Sequence, residues 1–237
     1  MYKLSIIIPL FNEQHRLSYN LTILEKFLKK KSKKDIEIIF VNDGSYDSTN
    51  EIIKNFIHKN KKKFKFRYIS YKNNIGKGFA VKKGILASKN YWILVCDADM
   101  SVSPKQFDIW FKNNLIQKKD EAYFGSRVHK QSNVKALFVR KIIGFLFNIL
   151  LSLLFNIKSS DTQCGFKVFN SHYIKKIFRK LKCNGYAYDV EIALLLKKHH
   201  IKIIELPLKW KHKDGSKVNL IKDSIKIFFD LIILKVR

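Results

Sequence analysis

Apolar strand-like runs alternate with helical patterns along the amino-terminal half of the chain. Strand–helix repetition at this spacing predicts βαβ units. We therefore expect an α/β fold, with a mostly parallel sheet that carries helices on both faces. The predicted strands span Leu4–Pro9, Glu37–Val41, Phe66–Tyr71 and Trp92–Cys96, and the helices begin near Arg16, Ser48 and Lys77.

A polar or glycine-rich loop follows each of the four predicted strands. In open α/β sheets, ligands bind just past the carboxyl ends of the strands, where such loops gather at one edge. Four loops of this kind at corresponding positions predict one shared binding site. The loops are Phe11–Glu13, Asn42–Ser45, Asn73–Gly78 and Asp97–Asp99.

Two aspartates, Asp97 and Asp99, emerge together from the continuous apolar run that ends at Cys96. Side chains at i and i+2 of an extended chain point to opposite sides, so both reach one ion only if the chain turns at Ala98. With that turn, the two carboxylates predict a divalent-cation site that would hold phosphate. The alternative is that one of them caps a helix beginning near Pro104.

The composition indicates one domain and gives little information about the partner. A chain of 237 residues, 46% of them hydrophobic, can build one full core but hardly two. Its net charge of +28 would attract polyanions or an anionic membrane surface. A nucleic-acid-binding module would need lysines clustered on one face among exposed aromatic residues, whereas runs such as Lys29–Lys34 and Lys59–Lys63 are dispersed. We therefore expect no nucleic-acid partner.

The cysteines and the amino-terminal segment indicate an intracellular site of action. Cys96, Cys164 and Cys183 are odd in number and lack CxxC spacing, so neither a disulfide framework nor a zinc site is expected. The run Leu4–Pro9 has no charged region before it and is short, so no cleaved signal peptide is expected.

Two amphipathic segments in the carboxyl-terminal half indicate contact with a membrane surface. The run 142–157 would form a helix of about 24 Å, against roughly 30 Å of bilayer hydrocarbon. A narrow stripe of polar and small residues from Arg140 to Asn156 lies along its wide apolar face, which is typical of an interfacial helix. A core helix of a soluble domain is the alternative. The segment 220–237 has a similar two-faced pattern.

The loop motifs together resemble the family 2 glycosyltransferases, which have a GT-A fold. Motifs farther along the chain are similar to a group within that family, the dolichyl-phosphate β-glucosyltransferases and their bacterial polyprenyl-phosphate relatives. The resemblance implies a single domain over residues 1–237, with a nucleotide-sugar-binding part at 1–130 and an acceptor-binding, membrane-facing part at 131–237. The later motifs are Asp161–Lys167, Tyr188–Glu191, Trp210 and Gly215–Val218.

The resemblance also implies roles for the loop residues. Asp97 and Asp99 would bind Mg²⁺ or Mn²⁺, and Lys77 would offset the charge of a diphosphate. Asp43 could instead cap a helix together with Asp47, and the glycines around Lys77 could form an ordinary turn. The nucleotide-sugar-binding residues implied in this way are Pro9, Asn12, Glu13, Asp43, Gly76, Lys77, Asp97 and Ala98.

The implied reaction transfers a hexose, most simply glucose from UDP-glucose, with inversion to a polyprenyl or dolichyl phosphate at the cytosolic membrane face. A phosphate monoester is largely ionised near neutral pH, so the enzyme needs cations more than a general base. Arg127 and Lys217 are the candidate catalytic cations. The acceptor or sugar pocket would contain Arg140, Asp161, Gln163, Asp189, Glu191 and Ser216, of which the carboxylates could equally form a buried structural network.

Two alternatives and one departure from the family pattern stay open. The donor could be another nucleotide sugar, such as GDP-mannose or UDP-GlcNAc. The acceptor could be a hydroxyl, which would require a carboxylate base, with Asp161 or Asp189 as candidates. Ser101 stands where the related mannosyl enzymes have a metal-binding glutamine, which leaves the rest of the metal's ligand shell open.

Overall fold

The computed structural model describes residues 2–135, 151, 154, 155, 157, 160–211, 227 and 229–235. Its main feature is a seven-stranded sheet, and two further strands form a sheet of their own. The strands are β1 (Leu4–Leu10), β2 (Ile36–Asp43), β3 (Lys65–Tyr71), β4 (Trp92–Cys96), β5 (Glu121–Ser126), β6 (Asn133–Lys135), β7 (Phe166–Asn170), β8 (Lys202–Pro207) and β9 (Lys209–Lys211). The helices are α1 (Gln14–Leu28), α2 (Thr49–Asn60), α3 (Lys77–Ala87), α4 (Lys105–Lys112), α5 (Ser171–Lys180) and α6 (Tyr188–Lys198).

The predicted α/β fold with a mostly parallel sheet is confirmed. The strands run in the order β3-β2-β1-β4-β7-β5-β8, and all pairings are parallel except those of β7. The first four strands begin and end within two residues of the predicted bounds, and the first three helices begin within two residues of their predicted starts. Strands β5 to β9 and helices α5 and α6 had no counterpart in the sequence prediction.

The strand β7 is inserted antiparallel between β4 and β5. In its register, Cys96 at the end of β4 pairs with Phe166 at the start of β7. The segment that precedes β7 therefore reaches the same sheet edge as the loops that follow β1 to β4. Arg127, which follows β5, reaches that edge as well, since β5 runs parallel to β4.

Alternate residues of the strands build separate apolar layers on the two faces of the sheet. On one face, Ile6 and Ile38 pack with residues of α1 and α4, such as Leu24. On the other face, Ile7 and Ile39 pack with residues of α3, α5 and α6. Because β1, β2 and β4 are covered on both faces, their sequences are continuous apolar runs.

A third apolar cluster joins both predicted amphipathic segments to α6. Leu151, Ile157 and Leu231 are buried there against α6 residues such as Val190. Most of both segments lies outside the described residues, so the interfacial helices remain a prediction. None of the described helices is both long enough and apolar enough to span a membrane.

Candidate active site

A cleft opens at the carboxyl edge of β1 to β4, where the sequence predicts the binding site. Its volume is ≈ 370 Å³, which is within the range of small-ligand sites. Arg16, Gly185 and Tyr186 also line it, and the sequence prediction did not include them. Of the predicted nucleotide-sugar-binding residues, those that line the cleft are Pro9, Glu13, Asp43, Gly76, Lys77, Asp97 and Ala98.

The chain turns directly after β4, as a shared ion site for the two aspartates requires. The carbonyl of Asp97 accepts a hydrogen bond of 3.1 Å from the N–H of Met100, whose φ is 51°. The Asp99 carboxylate accepts one of 2.8 Å from the N–H of Ser101. Pro104 stands at the N-cap of α4 and no side chain caps that helix, so the helix-cap alternative for Asp97 and Asp99 is wrong.

The Asp97 carboxylate is held from two sides. Lys77, at the start of α3, places its Nζ 2.8 Å from Oδ1 of Asp97. Gly165, just before β7, lies so close that a Cβ there would be 1.8 Å from Oδ2 of Asp97. Burial raises the pKa of Asp97, but the charges of Lys77 and Lys167 outweigh it and hold this pKa below its usual value. Asp97 therefore stays ionised near neutral pH.

Arg16 joins the carboxylate of Glu13 to that of Asp99. Its guanidinium donates a hydrogen bond of 2.8 Å to Oε1 of Glu13, and its Nη1 lies 4.0 Å from Oδ2 of Asp99. This Nη1 is buried without a hydrogen-bond partner in the part of the chain that the structure describes. An anionic ligand in the cleft could accept from it. The i,i+3 spacing of Glu13, at the N-cap of α1, and Arg16 is the sequence signal that could have identified the pair.

Asp43 shapes the loop that forms one wall of the cleft. Its carboxylate accepts hydrogen bonds from the side-chain amide of Asn74 at 2.8 Å and from the N–H of Gly76 at 3.0 Å. It does not cap α2, because Asp47 accepts the N–H of Thr49 at 3.0 Å instead. Asp43 thus lines the cleft and also holds the loop before Lys77 in place.

The glycines beside Lys77 allow a close approach between two segments of the chain. Gly76 has a φ of 129°, and a Cβ there would lie 2.3 Å from the carbonyl oxygen of Asn184. A Cβ on Gly78 would lie 2.6 Å from the carbonyl oxygen of Cys183. The start of α3 therefore packs tightly against the loop before α6, and this loop carries Gly185 into the cleft. The ordinary-turn alternative does not explain this packing.

Asn12 ties the loop after β1 to the loop after β2. Its N–H donates to Oγ of Ser45 at 2.9 Å, and its Oδ1 accepts from the N–H of Tyr46 at 3.1 Å. With a φ of 52°, Asn12 has a left-handed conformation that asparagine tolerates better than most residues. Its observed contacts are to the protein, and a contact to a nucleotide remains a prediction.

Arg127 and Asp161 form a two-pronged ion pair at the same sheet edge. Nε of Arg127 donates to Oδ2 of Asp161 at 2.8 Å, and Nη2 donates to Oδ1 at 2.7 Å. The N–H of Arg127 donates to Oδ2 as well, at 2.8 Å. Burial lowers the pKa of Arg127, but the charge of Asp161 more than offsets it and raises the pKa above its usual value. Asp161 therefore orients a permanently charged guanidinium.

Asp189 and Glu191 are engaged by other protein groups. Lys167 on β7 donates to Oδ1 of Asp189 at 2.6 Å, with both side chains buried. Burial raises the pKa of Asp189, and the charge of Lys167 offsets this only in part. Glu191 accepts the N–H of Cys183 at 2.6 Å and so holds the loop before α6. Both observations favour the structural-network alternative for these carboxylates.

The remaining predicted acceptor residues are less well defined by the structure. Nε2 of Gln163 is buried without a hydrogen-bond partner among the described residues. Arg140, Ser216 and Lys217 lie outside the described residues. Their roles remain predictions.

The aspartate turn fits a hard divalent cation. Both carboxylates are partly exposed to the cleft, and oxygen ligands of this kind suit Mg²⁺ or Mn²⁺. Within the described ranges, no group of three or more His, Cys, Asp or Glu side chains could hold a metal. Asp97 and Asp99 would share such an ion with oxygens of a bound diphosphate and with water, as is usual for Mg²⁺ beside phosphates.

The order of the strands and the cleft at their carboxyl edge indicate a GT-A-type fold. The sequence model of Glycosyl transferase family 2 matches residues 5–178. The chain therefore belongs to glycosyl transferase family 2 and is a glycosyltransferase.

Curated relatives match the chain over nearly its whole length. The chain is 39% identical to a dolichyl-phosphate beta-glucosyltransferase of Dictyostelium discoideum, over 99% of the chain and 74% of that protein. It is 37% identical to that of Saccharomyces cerevisiae, over 98% of the chain and 74% of the relative.

A solved structure shares the fold. Glucosyl-3-phosphoglycerate synthase from Mycobacterium tuberculosis, in complex with Mn²⁺, UDP-glucose and phosphoglyceric acid, superposes with a TM-score of 0.69. The match covers 99% of this chain and 80% of that one, at 17% sequence identity.

Proposed function

We propose that this glycosyltransferase transfers glucose from UDP-glucose to dolichyl phosphate, or to a similar polyprenyl phosphate, with inversion at the anomeric carbon. The curated relatives carry this activity in their names, and they match nearly the whole chain. The observation in the structure that carries the proposal is that both candidate bases are already paired with cations. Asp161 is paired with Arg127 and Asp189 with Lys167, which suits an acceptor that needs no base.

On the donor side, the cleft offers both carboxylates and cations to a nucleoside diphosphate. Asp97 and Asp99 would hold Mg²⁺ or Mn²⁺, which when bound stabilises negative charge on the departing diphosphate. Lys77 already lies beside Asp97, and Arg16 has a buried Nη1 without a hydrogen-bond partner among the described residues. Both side chains can add charge-assisted hydrogen bonds to diphosphate oxygens.

On the acceptor side, the phosphate monoester supplies its own negative charge. An ionised phosphate oxygen attacks the anomeric carbon in line, and a new C–O bond forms as the bond to the UDP oxygen breaks. No proton has to be removed in this step. Arg127, held at the sheet edge by Asp161, is the described cation that can orient the acceptor phosphate.

The lipid acceptor implies that the enzyme works at a membrane surface, and we propose the cytosolic face, where nucleotide sugars are available. Ile232 and Ile233 of the carboxyl-terminal segment are 42% and 48% exposed. On the opposite side of the same segment, Leu231 is buried against α6. A helix that packs against the protein on one side and exposes apolar residues on the other suits an interfacial position.

A donor and acceptor screen tests the proposed function. We expect purified protein with Mn²⁺ to form a glycolipid from UDP-glucose and dolichyl phosphate, and none from dolichol. The rate should fall below about pH 6, where the dianion of the acceptor phosphate takes up a proton. This fall should not come from Asp97, because its pKa is held below the usual value. Radiolabelled sugar in the organic phase measures the product.

The same screen separates the alternatives. A glycolipid formed from GDP-mannose or UDP-GlcNAc, and not from UDP-glucose, would overturn the donor assignment. Transfer to dolichol, or to a soluble hydroxyl acceptor, would overturn the acceptor assignment. Asp161 and Asp189 would then again be candidates for the general base. Full activity in the presence of EDTA would exclude a role of the metal ion in the transfer reaction.

Replacing Arg127 by lysine should weaken acceptor binding. Lysine keeps the charge but loses the two-pronged geometry with Asp161. A lost charge-assisted hydrogen bond costs about 1.5–3 kcal/mol, so the KM for dolichyl phosphate should rise roughly tenfold or more. The KM for UDP-glucose should not change. Steady-state kinetics with each substrate varied in turn measures both.

The matched control for this variant is Arg67→Lys. Arg67 pairs with Glu37 at 3.7 Å and lies on β3, away from the cleft lining. It should leave both KM values unchanged. An Arg127→Lys enzyme with the wild-type KM for dolichyl phosphate would contradict the assigned role of Arg127.

A further inference from the structure

A fully buried ion pair lies behind the aspartate turn. Lys167, the second residue of β7, is 1% exposed, and its Nζ donates to Oδ1 of Asp189 at 2.6 Å. The same Nζ donates to the carbonyl of Cys164 at 2.5 Å and lies 5.1 Å from the centre of the Phe124 ring. Lys167 therefore joins the first turn of α6 to the segment that precedes β7.

This location does not suit a charge that serves stability alone. Lys167 pairs in register with Val95 on one side and with Phe124 on the other, so apolar side chains surround its strand position. Replacing a buried ion pair by well-packed apolar residues is often neutral or stabilising. A charged pair that is fully buried at this position therefore calls for a role beyond stability.

The segment that Lys167 holds forms the support of Asp97. Gly165 lies next to Cys164, whose carbonyl accepts from Lys167. A Cβ on Gly165 would be 2.2 Å from Cγ of Asp97, so the backbone there is in direct contact with the carboxylate. Lys77 contacts the same carboxylate at 2.8 Å. The orientation of Asp97 is thus set by Lys77 and by the backbone that Lys167 anchors.

We propose that Lys167, anchored by Asp189, is a positioning residue that holds the Cys164–Gly165 backbone against Asp97 and so aims its carboxylate at the donor-bound metal ion. The proposal rests on the metal role of Asp97 in the proposed function. Groups that orient a metal ligand without touching the metal typically change metal affinity by about 10- to 100-fold when they are mutated.

Metal binding by Lys167→Met tests the proposal directly. Methionine has a similar length and no charge, so the anchor of the Cys164 carbonyl is lost. With UDP present, the Kd for Mn²⁺ should rise about tenfold or more, as measured by the electron paramagnetic resonance signal of free Mn²⁺. Raising the Mn²⁺ concentration should restore part of the transferase activity, which a purely structural defect would not allow.

Lys31→Met is the matched control, because Lys31 pairs with Asp108 at 2.7 Å away from the cleft. It should leave the Kd for Mn²⁺ unchanged. If circular dichroism shows that Lys167→Met does not fold, Asp189→Asn replaces it in the test. Asparagine keeps a hydrogen-bond acceptor beside Lys167 but removes the charge that anchors it, so the Kd for Mn²⁺ should still rise severalfold. A folded variant with a Kd for Mn²⁺ within twofold of the wild type would overturn the proposal.

The binding measurement contains neither glucose nor lipid. The two proposals can therefore fail separately. If the protein makes no glucosyl lipid, the proposed function is wrong, but a lower Mn²⁺ affinity of Lys167→Met would still support the positioning role. A wild-type protein that binds no Mn²⁺ in the presence of UDP would reject the positioning role.

Discussion

The Asp99→Asn variant is expected to transfer sugar at least about a thousandfold more slowly than the wild-type protein. A catalytic cation contributes several kcal/mol of charge stabilisation, and each 1.36 kcal/mol is a factor of ten in rate. Asparagine can still accept the N–H of Ser101, which Asp99 accepts at 2.8 Å, so the turn should persist. Initial rates at saturating UDP-glucose and Mn²⁺, beside a thermal unfolding curve, measure the effect.

Asp120→Asn serves as the control for this loss of charge. Asp120 is exposed and precedes β5, so it lies at the opposite edge of the sheet from the cleft. It should keep the wild-type rate. An Asp99→Asn enzyme that retains a tenth of the wild-type rate, or a wild-type enzyme that stays active in EDTA, would contradict the metal role of the aspartate turn.

Gly165→Ala is expected to reduce the transfer rate by about a hundredfold. The new Cβ would lie 1.8 Å from Oδ2 of Asp97, so the carboxylate or the backbone must move. A shift of about 1 Å in a catalytic arrangement can cost a hundredfold in rate. Overpacking of this kind should also cost about 1–3 kcal/mol of stability. Rates per folded molecule and urea denaturation measure the two effects.

Gly84→Ala separates the local effect on the site from overpacking in general. A Cβ on Gly84 would lie 2.2 Å from Cγ2 of Ile7, in the apolar layer beneath α3. We expect it to destabilise the protein without changing the rate per folded molecule. Gly165→Ala with an activity within threefold of the wild type would show that Asp97 tolerates the displacement.

A double-mutant cycle locates the cause of the Gly165→Ala effect. In an Asp97→Ala background the carboxylate is absent, so Gly165→Ala should cost less stability than it does in the wild type. Residues in contact commonly show coupling energies of 0.5–3 kcal/mol, roughly the size expected here. Additive effects on the free energy of unfolding would mean that the contact with Asp97 is not the origin.

The first four strands and their loops are predictable because the signals are local. A strand covered on both faces must be apolar along its length, and in a parallel sheet its loop must lie at the carboxyl edge. The aspartate turn likewise depends on the residues from Asp97 to Ser101, which are adjacent in sequence. These features therefore follow from the pattern of the chain.

The acceptor side was predicted less well because its contacts join distant residues. The antiparallel strand β7 pairs with β4 and β5, and no local pattern marks this reversal of direction. Its insertion brings Gly165 against Asp97, 68 positions apart in the sequence, and leaves Lys167 buried. The sequence predicts Asp189 as a pocket residue or a base, but no local signal identifies Lys167 as its partner.

The aspartate turn and the loops that surround it can be derived from local chain chemistry, that is, from apolar periodicity and from carboxylates at a strand end. The partners of Asp161 and Asp189, and the packing of Gly76 against Asn184, could be learned only from the folded chain. The physical reason is that burial and charge pairing depend on which strands become neighbours. Which strands become neighbours is determined by the packing of the whole core and not by any single segment.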